Sequence, residues 1–250
     1  MKALITGATS GIGLDIARYL DSLKIDLILV GRDKEKLARV ASEFAVKPKL
    51  VVLDLKDLKK VKELYLLTKD DDIDILVNNA GFGLFGEFKD TDLNKEIDMI
   101  DVNIKAVHLL TKLFLKDMVK KNKGYILNVA SAAGFGSGPL MATYYGTKAY
   151  VLNLTEAIAY ELKQSGSLVH VSVLCPGPVK TNFNDVAGVT FASKPLSSSY
   201  VAKYAIDKMD KGSIVNISST NAINTYYPES IDYDASKAGV ISLTHNFSKY

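Results

Sequence analysis

The sequence predicts an α/β fold, a doubly wound parallel sheet with helices on both faces, in a single domain with an atypical C-terminal segment. Short, nearly continuous runs of Val, Ile and Leu alternate with longer amphipathic stretches. Such continuous apolar runs are typical of strands that are covered on both faces. Strands and helices that alternate in this way form a parallel sheet with right-handed crossovers. The 250 residues, 48% of them hydrophobic, suffice for one large domain of this class.

Six strands and six helices are expected in alternation. The strands are predicted at residues 2–6, 26–30, 50–53, 73–77, 125–129 and 169–174. The helices are predicted at residues 11–22, 34–44, 58–68, 94–119, 142–163 and 200–209. Asp33 and Asp57 directly precede two of these helices, and we expect both to be N-caps because an aspartate accepts hydrogen bonds from first-turn N–H groups. Residues 182–199 form the longest predicted loop.

Charge and composition exclude several classes of function. The 31 basic and 28 acidic residues leave a net charge of +3, too small to attract nucleic acid or a membrane surface by field alone. The apolar run after Lys2 is too short for a signal peptide or a membrane span, so neither a membrane nor nucleic acid is an expected partner. The three histidines are scattered and Cys175 is the single cysteine, so no metal site is expected. A lone cysteine fits a reducing compartment, and a cytoplasmic location is expected.

A glycine-rich loop joins the first predicted strand to the first predicted helix. Its sequence is Thr6-Gly7-Ala8-Thr9-Ser10-Gly11-Ile12-Gly13. Glycines at such a turn let the backbone approach a pyrophosphate, which the N-terminus of the helix then attracts. The loop therefore predicts a dinucleotide site, and a glycine-rich turn without a ligand is the alternative.

Further motifs follow in order, mostly at the ends of later strands. They are Asp54-Leu55, Asn78-Asn79-Ala80-Gly81, Asn103, Ser131 with Tyr144-x-x-x-Lys148, and Pro176-Gly177-Pro178-Val179-Lys180-Thr181. Together with the T-G-x-x-x-G-x-G loop, they resemble the short-chain dehydrogenase/reductase family in its shorter form. The resemblance covers residues 1 to about 210. It implies a Rossmann-type fold, a nicotinamide cofactor, and an oxidoreductase that interconverts a carbonyl and a secondary alcohol by hydride transfer.

The same resemblance implies roles for individual residues. Tyr144 would be the general acid or base, and Lys148 would lower its pKa and hold the nicotinamide ribose. Ser131 would orient the substrate oxygen, and Asn103 would support a water in a proton relay. The implied cofactor-binding residues are Gly7, Thr9, Ser10, Gly11, Ile12, Gly13, Arg32, Asp54, Leu55, Asn79, Ala80, Gly81, Tyr144, Lys148, Pro176, Gly177, Val179 and Thr181.

The spacing of Tyr144 and Lys148 supports this chemistry physically. Residues four apart share one face of a helix. A cation about 4 Å from a phenol stabilises the phenolate by roughly 4 kcal/mol at an effective dielectric constant of about 20, which lowers the pKa by about three units. We therefore expect an acidified phenol, with burial acting in the opposite direction. A solvated pair on a helix surface is the alternative for this spacing alone, and Tyr145 is rejected as the acid because Ala149 occupies its i+4 position.

The end of the second strand favours NADP(H), with NAD(H) also possible. Family members that prefer NAD usually carry an acidic residue at the position of Gly31, and Arg32 stands where NADP-preferring members often have arginine. A guanidinium pairs with a phosphate through two hydrogen bonds. Asp33 is the competing signal, which we interpret as an N-cap. The basic residue that the family often places in the glycine loop is replaced by Ser10.

Residues 212–250 depart from the family pattern. The spacing of residues 124–131 recurs at 212–219, and that of 144–155 recurs at 233–244. The segment thus looks like a partial second copy of the active-site strand–loop–helix unit, and chance likeness is the alternative. We assign residues 1–211 to the dinucleotide-binding and catalytic domain and 212–250 to the last sheet strand plus an extra helix. No chemistry is expected at Ser219, Tyr233 and Lys237, which lack a cofactor loop of their own.

Two expectations about partners follow. A small carbonyl or alcohol substrate is expected in an apolar pocket lined by residues 82–88, 133–141 and 182–196. By resemblance, the chain forms a homodimer through its long helices, whereas a tetramer is in doubt because residues 212–250 alter the segment that tetramers use. The alternative function is a nucleotide-binding sensor or interaction protein without turnover, because a fold alone does not grant activity.

Overall fold

The computed structural model describes residues 1–183, 187–188, 195–210 and 214–217. Within them, nine strands are present: β1 (Lys2–Thr6), β2 (Asp26–Gly31), β3 (Lys49–Val52), β4 (Ile75–Asn78), β5 (Gly124–Val129), β6 (Val169–Pro176), β7 (Val179–Lys180), β8 (Leu196–Ser197) and β9 (Ile214–Ile217). Seven form one parallel sheet in the order β3-β2-β1-β4-β5-β6-β9, and β7 pairs with β8. This is the predicted doubly wound architecture.

The order of the strands reverses between β1 and β4, which lie side by side with Ala3 opposite Ile75. In such sheets, ligands bind at the carboxyl ends of the strands where this reversal occurs. β9 lies within residues 212–219, where the sequence predicts the last strand, and it pairs with β6. The remainder of the repeated segment, including Ser219, Tyr233 and Lys237, falls outside the described residues.

Seven α-helices are described around the sheet. They are α1 (Gly11–Ser22), α2 (Lys34–Ala41), α3 (Leu58–Thr68), α4 (Leu93–Ile100), α5 (Val107–Lys121), α6 (Ala142–Gln164) and α7 (Ser198–Lys208). The predicted N-caps are confirmed, since Asp33 accepts a hydrogen bond from the Lys36 N–H and Asp57 accepts one from the Lys59 N–H. The predicted continuous helix at residues 94–119 is wrong in detail, because a π-helical segment (Asp101–Ala106) separates α4 from α5.

Side chains alternate between two cores on the opposite faces of the sheet. From β1, Ala3 and Ile5 pack with Ile16 and Leu20 of α1, and this core continues to α2 and α7. Leu4 points to the other face, where side chains of α3 and α5 cover it. All of these strand residues are fully buried. Burial on both faces explains why the strands are nearly continuous in apolar residues.

Candidate active site

The glycine-rich loop turns sharply at the end of β1, beside the end of β4. Gly7 has a φ of +66° and Gly11 a φ of +56°, a region that glycine adopts without strain. The Gly7 N–H donates to the Val30 carbonyl over 3.0 Å, which fixes the start of the loop against β2. Ser10, which precedes α1, offers no side-chain hydrogen bond to the first turn, and that turn contains no acidic residue. The N–H groups at this helix start therefore suit an anionic ligand.

Asn79 ties this loop to the end of β4. Its side-chain amide donates to the carbonyl oxygens of Thr6 and Gly7, each over 3.1 Å. The Thr6 hydroxyl oxygen accepts from the N–H groups of Asn79 and Ala80 over 3.0 and 3.1 Å. A Cβ at Gly13 would lie 2.3 Å from the Asn79 amide nitrogen, so only glycine permits this approach. The arrangement fits a dinucleotide cradle. Thr6 was not among the predicted site residues, because its partners lie 73 and 74 residues away.

The end of β2 places Arg32 in solvent beside this loop. Arg32 makes no salt bridge or side-chain hydrogen bond to any other part of the chain that the structure describes. A Cβ at Gly31 would lie 2.3 Å from the buried Leu37 side chain and 3.0 Å from the Thr9 methyl group. The structure thus leaves little space for a side chain at position 31, while Asp33 is engaged as the cap of α2.

Asp54 and Leu55 follow β3 on the same side of the sheet reversal as Arg32. Asp54 is half-buried and accepts a hydrogen bond from the Lys56 N–H over 3.2 Å. Leu55 is buried. These residues lie on the β2–β3 side of the sheet, whereas the predicted catalytic residues lie on the β4–β5–β6 side. The two groups therefore flank the glycine-rich loop, as a ligand with two ends requires.

Tyr144 and Lys148 lie on one face of α6, as the spacing predicts, and both are buried. The Lys148 ammonium nitrogen is 5.7 Å from the centroid of the Tyr144 ring. It donates a hydrogen bond of 2.9 Å to the Val129 carbonyl at the end of β5. A Cβ at Gly81 would lie 3.5 Å from this nitrogen and 2.9 Å from the Asn103 side-chain oxygen, so Gly81 borders both.

The expected acidified phenol is not found in the protein alone. Burial raises the pKa of Tyr144 to about 12, although the hydrogen bond with the Ser131 hydroxyl acts to lower that pKa. Burial also lowers the pKa of Lys148 to about 8, against the influence of the nearby Cys175 thiol. The expected and observed pKa of Tyr144 differ because the sequence spacing shows only that the Lys148 charge is near the phenol. The desolvation of the phenol depends on the packing around it, which the spacing does not show. At neutral pH the phenol is protonated.

Ser131 lies two residues after the end of β5 and caps the start of the 3₁₀ turn Ala132–Phe135. Its hydroxyl oxygen accepts from the Ala133 N–H over 3.1 Å, and the hydroxyl lies 3.5 Å from the Pro176 carbonyl oxygen. Together with its hydrogen bond to Tyr144, these contacts place the hydroxyl beside the phenol. Tyr145 packs instead against Gly138, where an added Cβ would lie 2.2 Å from its ring.

Asn103 lies in the π-helical segment and is almost fully buried. Its amide donates to the Phe82 carbonyl over 2.9 Å and to the Thr147 hydroxyl over 3.1 Å, and its oxygen accepts from the Phe82 N–H over 3.1 Å. Thr147 in turn donates to the Tyr144 carbonyl over 2.8 Å. Asn103 therefore joins the loop after β4 to α6, a role that the motif alone did not reveal; its implied part in a water relay stays a prediction.

The segment after β6 closes the site from a third side. Pro176 ends β6 and Gly177 follows it, while Val179 is buried in β7 and pairs with Leu196. A Cβ at Gly11 would lie 3.0 Å from the Thr181 methyl group, so Thr181 contacts the glycine-rich loop. The Thr181 hydroxyl accepts from the Phe183 N–H over 3.2 Å.

Apolar side chains surround the phenol. They are Met99, Met141, Ala187, Phe82, Leu84, Ala133, Tyr145 and Phe183. The Phe183 ring centroid is 5.3 Å from that of Tyr144. Six of these residues come from the three segments that were predicted to line a substrate pocket, whereas Met99 of α4 and Tyr145 of α6 were not predicted. Residues 184–186 and 189–194 of the third segment lie outside the described part of the chain.

No group of three or more His, Cys, Asp or Glu side chains among the described residues is arranged to hold a metal ion. Within the same residues, no helix is long and apolar enough to cross a membrane.

The buried ammonium of Lys148 predicts an effect on stability. Its pKa is lower in the folded protein than in the unfolded chain, so between pH about 8 and 10.5 the unfolded chain binds more protons and stability rises with pH. Below pH 8 the buried charge costs free energy. Lys148→Met is expected to raise the free energy of unfolding at pH 7 by about 2 kcal/mol, and this gain should shrink towards pH 10.

Urea unfolding at pH 7 and pH 10 measures both quantities. Lys112→Met removes an exposed lysine of α5 and should change stability by less than about 0.5 kcal/mol. A destabilised Lys148→Met protein at pH 7 would show that the Val129 hydrogen bond outweighs the cost of burying the charge.

Comparison with known proteins adds to this geometry. A family model described as short chain dehydrogenase matches residues 1–190 and, a second time, residues 183–249. An uncharacterized oxidoreductase of Staphylococcus saprophyticus is 35% identical over 223 residues, which are 86% of this chain and 93% of that protein. The similarity therefore extends over most of both chains.

Two solved structures carry different cofactors. A short-chain dehydrogenase from Sphingobium yanoikuyae in complex with NADPH has a TM-score of 0.79 at 28% identity, covering 96% of this chain and 95% of that one. A short-chain dehydrogenase/reductase from Burkholderia phymatum in complex with NAD has a TM-score of 0.78 at 25% identity, covering 97% and 94%. The similar structures thus support a nicotinamide cofactor without selecting its phosphorylated form.

Proposed function

The chain belongs to the short-chain dehydrogenase family and is an oxidoreductase, and from this premise we propose that it interconverts a carbonyl and a secondary alcohol with Tyr144 as the general acid or base. One observation carries the proposal. The phenol is buried beside Lys148 and hydrogen-bonded to Ser131, at the end of the sheet where the glycine-rich loop lies. An exposed Tyr–Lys pair would have no such surroundings.

A nicotinamide dinucleotide, when bound, supplies the hydride in reduction and accepts it in oxidation. In reduction, the Tyr144 phenol donates its proton to the carbonyl oxygen as that oxygen gains negative charge. The Ser131 hydroxyl hydrogen-bonds the same oxygen, and the Lys148 ammonium stabilises the phenolate that remains. The raised pKa of Tyr144 keeps the phenol protonated at neutral pH, which is the form that reduction needs.

The glycine-rich loop, Asn79 and the start of α1 would hold the pyrophosphate, with Lys148 at the nicotinamide ribose. This assignment is supported by the uncapped first turn of α1 and by the close packing at Gly13. The apolar surroundings of Tyr144 exclude water from the phenol and suit an apolar or mixed substrate.

The cofactor that we propose is NADP(H). Arg32 is exposed and engaged in no ion pair within the described residues, so its guanidinium is available for a 2′-phosphate. Because residue 31 is glycine, no carboxylate stands at this position to bind a 2′-hydroxyl. The Leu37 side chain takes the space that a side chain at position 31 would need.

Arg32→Ala tests this preference. It should weaken NADPH binding about 10- to 100-fold, because a charge-assisted hydrogen bond is lost, and leave NADH binding unchanged. Fluorescence titration of each reduced cofactor gives both dissociation constants. The matched control is Arg39→Ala, which removes an exposed arginine from the other end of α2. An equal loss for NADPH and NADH, or no loss, would contradict the assignment.

Turnover itself is tested with a panel of ketones and aldehydes, monitored at the absorbance band of NADPH. Reduction of at least one apolar carbonyl compound is expected. A protein that binds NADPH tightly, reduces no compound of the panel and also oxidises none of the corresponding alcohols would instead be a nucleotide-binding sensor.

We further propose that the protein acts in the cytoplasm as a homodimer. Cys175 is the single cysteine of the sequence, so no disulfide can form within the chain, which is consistent with a reducing compartment. Tyr150 and Tyr160 are 39% and 65% exposed on α6, one of the long helices through which the family's dimers pack.

A further inference from the structure

A buried carboxylate outside the proposed chemistry lies close to the phenol. Glu96, in the first turn of α4, is 7% exposed. Its two carboxylate oxygens accept hydrogen bonds from the Thr91 hydroxyl and, over 3.1 Å, from the Thr143 hydroxyl. Within the described residues, no lysine or arginine forms a salt bridge with it. Burial of a carboxylate whose partners are neutral hydroxyls costs free energy, so these two hydrogen bonds are what holds Glu96 in place.

The first of these partners belongs to the loop that frames the pocket. Thr91 ends the segment 82–91, which contains Phe82 and Leu84 of the apolar group around Tyr144. The same segment is joined to the residues before α6 by the Gly86 N–H, which donates to the Leu140 carbonyl over 2.8 Å. Leu84, Glu96, Met99, Met141 and Thr143 also line one small, partly open cleft. Glu96 therefore anchors one wall of the pocket.

The second partner belongs to the active-site helix itself. α6 begins at Ala142, and Met141 before it provides no side-chain cap and no acidic residue stands in its first turn. In contrast, α2, α3 and α4 each start with a capping aspartate. A negative charge near a helix start offsets the positive end of the helix dipole. Glu96 brings that charge to α6 from another helix, through the residue that directly precedes Tyr144.

We propose that Glu96 is a positioning residue: its carboxylate holds the start of α6 to the 82–91 loop and so fixes the Tyr144 phenol relative to Lys148 and Ser131. This inference rests on the proposed function. The side-chain hydrogen bonds of Glu96 go to Thr91 and Thr143 and not to the phenol or the glycine-rich loop, so we expect Glu96 to affect the proton-transfer geometry and not the binding of the cofactor. A displacement of the acid by an ångström is enough to slow a reaction strongly.

The test compares kcat, the KM of a carbonyl substrate from the panel, and the dissociation constant of NADPH. Glu96→Ala and Thr143→Val are each expected to lower kcat about tenfold or more, with the NADPH dissociation constant within about threefold of wild type. Thr143→Ser keeps the hydroxyl and should restore most of kcat. In the double variant Glu96→Ala/Thr143→Val, the factor by which kcat falls should be smaller than the product of the two single-variant factors, because both substitutions remove the same hydrogen bond.

Asp98→Asn is the matched control. It removes an exposed carboxylate of the same helix, which pairs with Lys56 over 3.5 Å, and should leave kcat unchanged. If Glu96→Ala does not fold, the Thr143→Val and Thr143→Ser pair still decides. Unchanged kcat in Thr143→Val, or a loss of NADPH binding in parallel with kcat, would overturn the positioning role.

Hydrogen exchange separates this inference from the proposed function. In Glu96→Ala, or in Thr143→Val, faster amide exchange is expected in residues 82–91 and in the first two turns of α6, and not elsewhere. If the wild type reduces no carbonyl compound, the proposed function fails while this readout still tests the tether. Amide exchange that is unchanged in these segments, or that is faster throughout the chain, would overturn the positioning role of Glu96.

Discussion

Tyr144→Phe is expected to lower kcat for carbonyl reduction about 1000-fold, because the group that donates the proton is removed. The ring itself should stay in place, since it packs against Phe183 with centroids 5.3 Å apart and lies near the Lys148 ammonium. The NADPH dissociation constant should therefore change by less than about twofold. Stopped-flow or steady-state absorbance gives kcat, and fluorescence titration gives the affinity.

The neighbouring residue provides the control. Tyr145→Phe removes the same atom from a half-buried ring one position away, which packs against Gly138 and lies 6.4 Å from Tyr144 between ring centroids. Its kcat should stay within about threefold of wild type. Retained turnover in Tyr144→Phe with a large loss in Tyr145→Phe would reassign the acid to Tyr145.

Much of the fold could be predicted because its sheet is buried on both faces. Ala3, Leu4 and Ile5 fill opposite cores in turn, so no polar residue can stand between them. β1 has the predicted bounds for this reason. The π-helical segment at Asp101–Ala106 was missed, because one added residue in a turn hardly alters the spacing of apolar side chains over a long helix. That segment nevertheless decides where Asn103 lies.

The motifs likewise predicted which residues gather at the site and not how they are held. Glu96 and Thr143 are 47 residues apart, and only packing shows that they share a hydrogen bond. The pKa of Tyr144 illustrates the same limit. Its spacing from Lys148 correctly predicts a nearby cation, but the larger effect is desolvation, which depends on side chains from several segments. An acidified phenol in the working enzyme thus requires a further positive charge or a reorientation of the Lys148 ammonium away from Val129.

Gly13→Ala is expected to weaken NADPH binding about 100-fold and to destabilise the fold by about 1–3 kcal/mol. The added Cβ would lie 2.3 Å from the Asn79 amide nitrogen and 2.6 Å from the Gly7 carbonyl oxygen. Neither atom can move freely, because the Asn79 amide donates to the Gly7 carbonyl and to that of Thr6. Either this link breaks or the start of α1 moves away from the loop, and both disrupt the N–H groups that we propose bind the pyrophosphate.

Gly146 of α6, which faces solvent, provides the control. It shows whether the effect of Gly13→Ala comes from the close contact of the added Cβ or from replacing a glycine by alanine as such. No atom lies within 4 Å of a Cβ built at Gly146, so Gly146→Ala should keep NADPH affinity and raise the free energy of unfolding by up to about 1 kcal/mol. Asn79→Ala added to Gly13→Ala would remove the nearest obstacle. Stability should then recover in part, whereas affinity should not, because the amide that joins the loop to β4 is gone. Wild-type NADPH affinity in Gly13→Ala would show that the pyrophosphate does not depend on this approach of the loop to Asn79.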